Sequence, residues 1–212
     1  MSEEPGDDPV DGGQRHWAEV YRTRPADQVS WFEAEPITSL ALIDLLVPGH
    51  DADVVDVGGG ASALVDVLVA RGFPHVTVVD IAGTGLAAAR SRIGADARVS
   101  WVEADVRTWV PDRAYGLWHD RAVLHFLAGA DVLAYRRTLD AALAPDAAVV
   151  LGAFAPGGPT HCSGLPVTRY DAAGLAAVLG DGFTTVAARC QVHVTPGGVE
   201  QPFTWVAARR TA

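Results

Sequence analysis

The chain of 212 residues contains no lysine; all 16 of its Lys+Arg positions are arginine. That excludes phosphate-binding loops ending in Gly-Lys-Ser or Gly-Lys-Thr, Schiff-base lysines and pyridoxal chemistry. Cysteine is scarce: Cys162 and Cys190 lie 28 positions apart, and no disulfide framework is expected of them. Apolar runs are short, none approaching the roughly 20 residues that cross a bilayer. Positive charge is also short. Sixteen basic residues against 26 acidic ones give a net charge of -10. Such a surface repels phosphate backbones and anionic lipids, so neither nucleic acid nor a membrane is expected as a partner. Residues 1–13 are acidic and rich in Gly and Pro, unlike a targeting peptide. They read as a disordered leader, with 14–212 as one domain and the cytoplasm as the expected location.

What is present alternates between two periods. Pro36 precedes a helical pattern of Leu40, Ile43, Leu46 and Val47, and His16–Arg22 reads as a short helix carrying Trp17 and Tyr21. Residues 14–50 thus form a helical flap ahead of the first strand. Short continuous apolar runs at 53–57, 76–80, 98–102, 115–119 and 147–154 read as strands covered on both faces. Helical segments lie between most of them. This order predicts an α/β fold, a Rossmann-like doubly wound sheet that is mostly parallel. Residues 183–195 and 201–210, joined by Pro196-Gly197-Gly198, predict a closing antiparallel hairpin and bring the sheet to seven strands.

The first strand ends in Gly58-Gly59-Gly60 and opens a helix, where backbone can approach a ligand and free N–H groups face an anion. Asp80 ends the second strand 20 residues later, where a carboxylate can accept both hydroxyls of an adenosine ribose. Gly58-x-Gly60-x-x-Ala63 also fits the dinucleotide fingerprint, so a nicotinamide oxidoreductase stays open on these residues alone. Trp17, Tyr21, Trp31 and Phe32 precede the sheet and offer aromatic faces to a cation. His119 and His125 are candidate bases, since an imidazole titrates near neutrality. Arg121 can grip a carboxylate with its bidentate fork. His161-Cys162 matches no zinc spacing, and no metal is expected.

Three segments carry a resemblance. Val55-Asp56-Val57-Gly58-Gly59-Gly60 resembles the D-x-G-x-G motif of class I S-adenosylmethionine-dependent methyltransferases, Val78-Val79-Asp80-Ile81 their second-strand acid, and Trp101-Val102-Glu103-Ala104-Asp105-Val106 their third-strand segment. The likeness implies S-adenosyl-L-methionine as donor and S-adenosyl-L-homocysteine as product. It implies that Asp56, Gly58, Gly59, Gly60, Asp80, Ile81, Asp105 and Val106 surround the donor, with Asp105 on the adenine amino group. Trp118-His119-Asp120-Arg121-Ala122-Val123-Leu124 resembles the W-D-R-G-A-L segment of the thiopurine methyltransferase group, and elongation-factor lysine methyltransferases carry a similar run. Both groups have Trp and Tyr covering the donor near the amino terminus. The resemblance therefore implies donor contacts from Trp17, Tyr21, Trp31 and Asp120. The Asn/Asp-Pro-Pro-aromatic signature of base-methylating enzymes is missing after the fourth strand. A small-molecule acceptor is expected first, and a lysine of a basic protein second.

Overall fold

The structure, a computed structural model, describes residues 9–211. Residues 1–8 of the expected leader lie outside the described residues; residues 9–13 instead begin a helix, α1 (Pro9–Thr23). Proline is tolerated at a first helical position because its missing N–H has no partner to lose there. Helix α2 (Ile37–Leu46) follows, with Pro36 just before it.

The sheet uses β1 (Val54–Val57), β2 (Val76–Asp80), β3 (Val99–Glu103), β4 (Tyr115–Arg121) and β5 (Leu143–Phe154). Between them run α3 (Leu64–Ala70), α4 (Gly83–Ile93) and α5 (Ala130–Ala142). A β6–β7 pair (His161–Cys162 and Leu165–Pro166), α6 (Ala172–Leu179), β8 (Phe183–Val194) and β9 (Glu200–Arg210) complete the chain. The order is β3-β2-β1-β4-β5-β9-β8. The first five strands pair in parallel, whereas β9 inserts antiparallel between β5 and β8. The seven-stranded, mostly parallel sheet with its closing hairpin is the architecture the sequence predicts. Thr195 caps the hairpin turn by accepting the Val199 amide at 3.0 Å.

Alternate strand residues feed two separate cores. Val54, Val76, Leu117 and Val150 pack under α2, α3 and α4. Val55, Val57, Val149 and Val206 pack under Leu139, Leu175 and Leu179 of α5 and α6. Because both faces are covered, ligands have access only at strand ends. The register sets Val57 beside Val79 and beside Asp120, so β1, β2 and β4 end level. Strand order reverses between β1 and β4, and the crevice outside such a reversal is where doubly wound sheets bind ligands. Among the described residues, no helix is long and apolar enough to cross a membrane.

Candidate functional site

A cavity of about 250 Å³ opens at this crevice, bordered by Gly58 after β1, Asp80 at the end of β2, Asp105 after β3 and Arg121 at the end of β4. A smaller one, about 50 Å³, adjoins it and shares Trp31, Val57, Gly58 and Arg121. Gly58 adopts φ +68°, and a Cβ there would overlap the Val123 side chain. The turn therefore demands glycine for both conformation and space. Ala122, at the mouth of β4, also holds a left-handed φ of 74° without being glycine. Such strain clusters at ligand-binding sites.

Asp80 is buried at the cavity wall and accepts the Ala82 amide at 2.8 Å. Burial pushes its carboxyl up to about 7 against the pull of that amide, with the nearby Asp56 adding to the rise. A buried carboxylate with spare lone pairs suits a ligand bearing hydroxyl donors. Asp105, at the end of the next strand, is held by Arg107, whose Nε and Nη2 reach its carboxylate at 2.9 and 2.5 Å. Arg107 also meets Asp131 at 3.0 Å, so a three-residue clamp closes this end of the cavity. Arg107 is not among the residues the sequence singles out: its amide donating to Asp105 at 2.8 Å is a local i to i+2 turn that only the fold exposes as a cavity wall.

The aromatic flap converges as expected. Trp17 and Trp31 meet edge to face at 5.6 Å, Trp17 and Phe126 at 5.1 Å, and Tyr21 and Trp31 at 6.0 Å. Trp17, Tyr21 and Trp31 all border the larger cavity, as do Ile81 and Val106. Gly59 borders the smaller one. Gly60 borders neither, but a Cβ there would meet the Tyr21 hydroxyl and come within 3.0 Å of Asp80.

Four expectations need correction. His119 is not a free base: its Nδ1 lies 2.7 Å from Asp56 and its Nε2 2.9 Å from Ser39. Both nitrogens are taken, so the ring, which borders only the smaller cavity, fixes Asp56. Asp56, in turn, borders only the smaller cavity and is committed to His119. His125 is buried against Phe126 and Phe154, with neither ring nitrogen partnered. Burial, helped by the Arg121 charge, pushes its pKa down to about 3, so it takes no proton near neutrality. Asp120 lies behind the wall, accepting the Val123 and Leu124 amides and the Tyr135 hydroxyl. It shapes the turn after β4 rather than touching the cavity.

Arg121 is different. It donates to the Trp31 carbonyl at 2.8 Å, and its Nη2 pairs with Glu33 at 3.2 Å without hydrogen-bond alignment. Nε and Nη2 are buried with no hydrogen-bond acceptor. Unmet buried donors cost about 1–3 kcal/mol each, so this arrangement is poised for an acceptor atom. Glu33 is held below the usual carboxylate range: burial alone would raise it, but His193 and Arg121 outweigh that.

Residues 54–146, from β1 into β5, match the family model of a methyltransferase domain. No curated protein matches the chain by sequence. Among solved structures, the N-methyltransferase NodS from Bradyrhizobium japonicum, bound to S-adenosyl-L-homocysteine, superposes with a TM-score of 0.71 at 15% identity, covering 92% of this chain and 98% of its own. The 1,6-didemethyltoxoflavin-N1-methyltransferase of Burkholderia thailandensis, with bound 1,6-didemethyltoxoflavin and S-adenosylhomocysteine, superposes with a TM-score of 0.68 at 22% identity, covering 95% of this chain and 85% of its own. A protein solved in work on the conversion of a disulfide bond into a thioacetal group during echinomycin biosynthesis superposes with 0.71 at 19% identity, covering 93% of each chain.

Proposed function

We propose that this chain, an S-adenosylmethionine-dependent methyltransferase, passes the methyl group to a small-molecule nucleophile. The observation that carries the reading is the pair of carboxylates, Asp80 at the end of β2 and Asp105 two residues past β3, on one cavity whose third wall is the Gly58 turn. These residues fit the donor. Asp80 offers lone pairs to the ribose hydroxyls and Asp105 to the adenine amino group. The Gly58–Gly60 turn lets backbone amides reach the methionine portion. Trp17, Tyr21 and Trp31 exclude water and turn aromatic faces toward a sulfonium. The donor, when bound, supplies a methyl carbon already activated by positive sulfur. The protein's task is then chiefly to orient the acceptor, which can supply much of the barrier reduction.

The acceptor reading draws on the solved relative that holds 1,6-didemethyltoxoflavin, a small molecule. A nicotinamide oxidoreductase fits less well: β9 inserts antiparallel into the sheet, whereas dinucleotide folds continue with a parallel sixth strand. Thermal shift separates the two. S-adenosyl-L-homocysteine at 100 times its dissociation constant adds about 2.7 kcal/mol of stability, while NAD adds none. A shift with NAD alone contradicts the assignment.

A further inference from the structure

We infer that His193, a buried histidine of the outermost strand β8, is a positioning residue for the methyl donor. By gripping the Ser30 carbonyl it fixes the peptide plane that leads into Trp31, and so aims that ring at the sulfonium. The inference rests on the methyltransferase reading above and gives its aromatic wall a support that stands outside both cavities.

Residues 29–33 carry Trp31 but belong to no helix or strand. Among themselves they make a backbone hydrogen bond from the Phe32 amide to the Val29 carbonyl, at 3.1 Å. So lightly bonded a turn does not place an indole by itself. The sheet supplies the rest. His193 Nε2 lies 2.7 Å from the Ser30 carbonyl, which can only accept, so this nitrogen carries a proton and donates it. Arg121 donates through Nη1 to the next carbonyl, that of Trp31, at 2.8 Å.

The Ser30 carbonyl lies in the peptide plane that enters Trp31, and the Trp31 carbonyl in the plane that leaves it. Those two planes define φ and ψ of the residue between them, its only soft backbone dihedrals. Held on both sides, Trp31 has its Cα–Cβ direction set before a ligand arrives. Glu33 ties the two anchors together: its Oε1 lies 3.2 Å from Arg121 Nη2 and 3.5 Å from His193 Nδ1.

Trp31 is the ring through which such an anchor tells. It meets Trp17 at 5.6 Å and Tyr21 at 6.0 Å, and it borders both cavities where the Gly58 turn also does. His193 borders neither. Its effect on a ligand therefore passes through the turn. The sign of that effect separates position from charge. Removing His193 leaves Glu33 with less positive charge beside it, which on charge alone would favour a cationic ligand. A displaced Trp31 does the opposite, because an aromatic face attracts a cation only when the ring stands over it.

The test uses the full-length protein, titrated by calorimetry with S-adenosyl-L-methionine and with S-adenosyl-L-homocysteine. The two ligands differ by a methyl group and the sulfonium charge, so the ratio of their affinities reads the contact between cation and ring. Glutamine places a side-chain N–H where imidazole has Nε2, and asparagine places one where it has Nδ1, away from the Ser30 carbonyl. His193→Asn should move the ratio toward S-adenosyl-L-homocysteine by about threefold or more, and His193→Gln should restore most of it. In a Trp31→Leu background the two variants should have the same ratio, since the anchored ring is gone. Should His193→Asn not fold, His193→Phe, a ring without the donor, takes its place with the same expectation. The inference is overturned if the ratio does not move, if it moves toward S-adenosyl-L-methionine, or if glutamine does no better than asparagine. A difference that persists without Trp31 overturns it as well. Failure of the wild type to bind either ligand sinks the methyltransferase reading itself, and this inference with it.

Discussion

His119 and Asp56 sit directly across β4 and β1 from one another, buried beside the smaller cavity and joined at 2.7 Å between Nδ1 and Oδ1. Ser39, from α2, closes the far side of the ring at 2.9 Å. The triad ties the amino-terminal flap to the strand that ends in the glycine turn. His119→Ala leaves a buried carboxylate short of a partner and should cost about 1.5–3 kcal/mol of stability, read from denaturant unfolding. Methyl transfer in the folded fraction should keep its dependence on pH. Loss of an acid limb from the rate profile with unchanged stability would restore His119 as a base.

Asp80, the proposed ribose ligand, should link donor binding to pH. Burial lifts its folded pKa to about 7, above the ordinary aspartate value, so the folded protein binds the proton more tightly than the unfolded chain. Stability of the free protein therefore falls as pH rises from about 4 to about 7 through this residue. Donor binding should run the other way, because ribose hydroxyls would donate to the ionised form. S-adenosyl-L-homocysteine affinity should rise between pH 6 and 8 with proton release, measured by calorimetry in buffers of different ionisation enthalpy. Asp80→Ala should flatten that rise and weaken binding by about 1.5–3 kcal/mol. A pH-independent affinity in the wild type argues that Asp80 does not touch the ligand.

Gly58 is constrained twice, by a φ of +68° and by Val123 standing where a Cβ would go. Gly58→Ala should destabilise the fold by at least about 1–2 kcal/mol, the usual cost of a left-handed non-glycine residue. It should also abolish donor binding. Pairing it with Val123→Ala should recover the steric part alone, leaving the conformational part. Full recovery of stability in the double variant would show that conformation contributes nothing.

The architecture was legible because β-branched runs, glycine-closed helices and a Pro-Gly-Gly turn each act locally. Val54–Val57 could hardly be anything but a covered strand, and the run after Pro196-Gly197-Gly198 pairs back along β8. The ring of residues around the cavity was legible for a similar reason: Gly58, Asp80 and Asp105 each follow a recognisable strand. Side-chain commitments were not. Nothing in the spacing of Asp56, His119 and Ser39 announces that they meet, since the contact spans 63 and 80 positions and depends on strand order. The same holds for Glu33, Arg121 and His193, brought together from the flap, β4 and β8. Asp120 shows the limit most plainly. Its place near the end of β4 suggests a ligand, yet its oxygens are consumed by the turn they stabilise and by Tyr135.

His125 offers the sharpest separation of chemistry from packing. It is fully buried among Phe126 and Phe154, and neither ring nitrogen has a partner. Burial depresses its pKa to about 3, below the unfolded value, so the unfolded chain binds the proton more tightly. Stability carried by this residue is present above pH 6.5 and is lost as pH falls from there toward 3. Phenylalanine has nearly the same shape and no nitrogens to strand. His125→Phe should therefore leave stability at pH 7 unchanged or raise it by about 1 kcal/mol, since removing an unmet buried polar group recovers its desolvation cost. It should also reduce the acid sensitivity of unfolding between pH 6 and 4, measured as the midpoint in urea across that range. Methyl transfer should survive within about threefold, because no proton passes through the ring. A loss of activity of a hundredfold or more, in a variant whose unfolding midpoint at pH 7 is unchanged, would falsify the packing role and return His125 to the reaction.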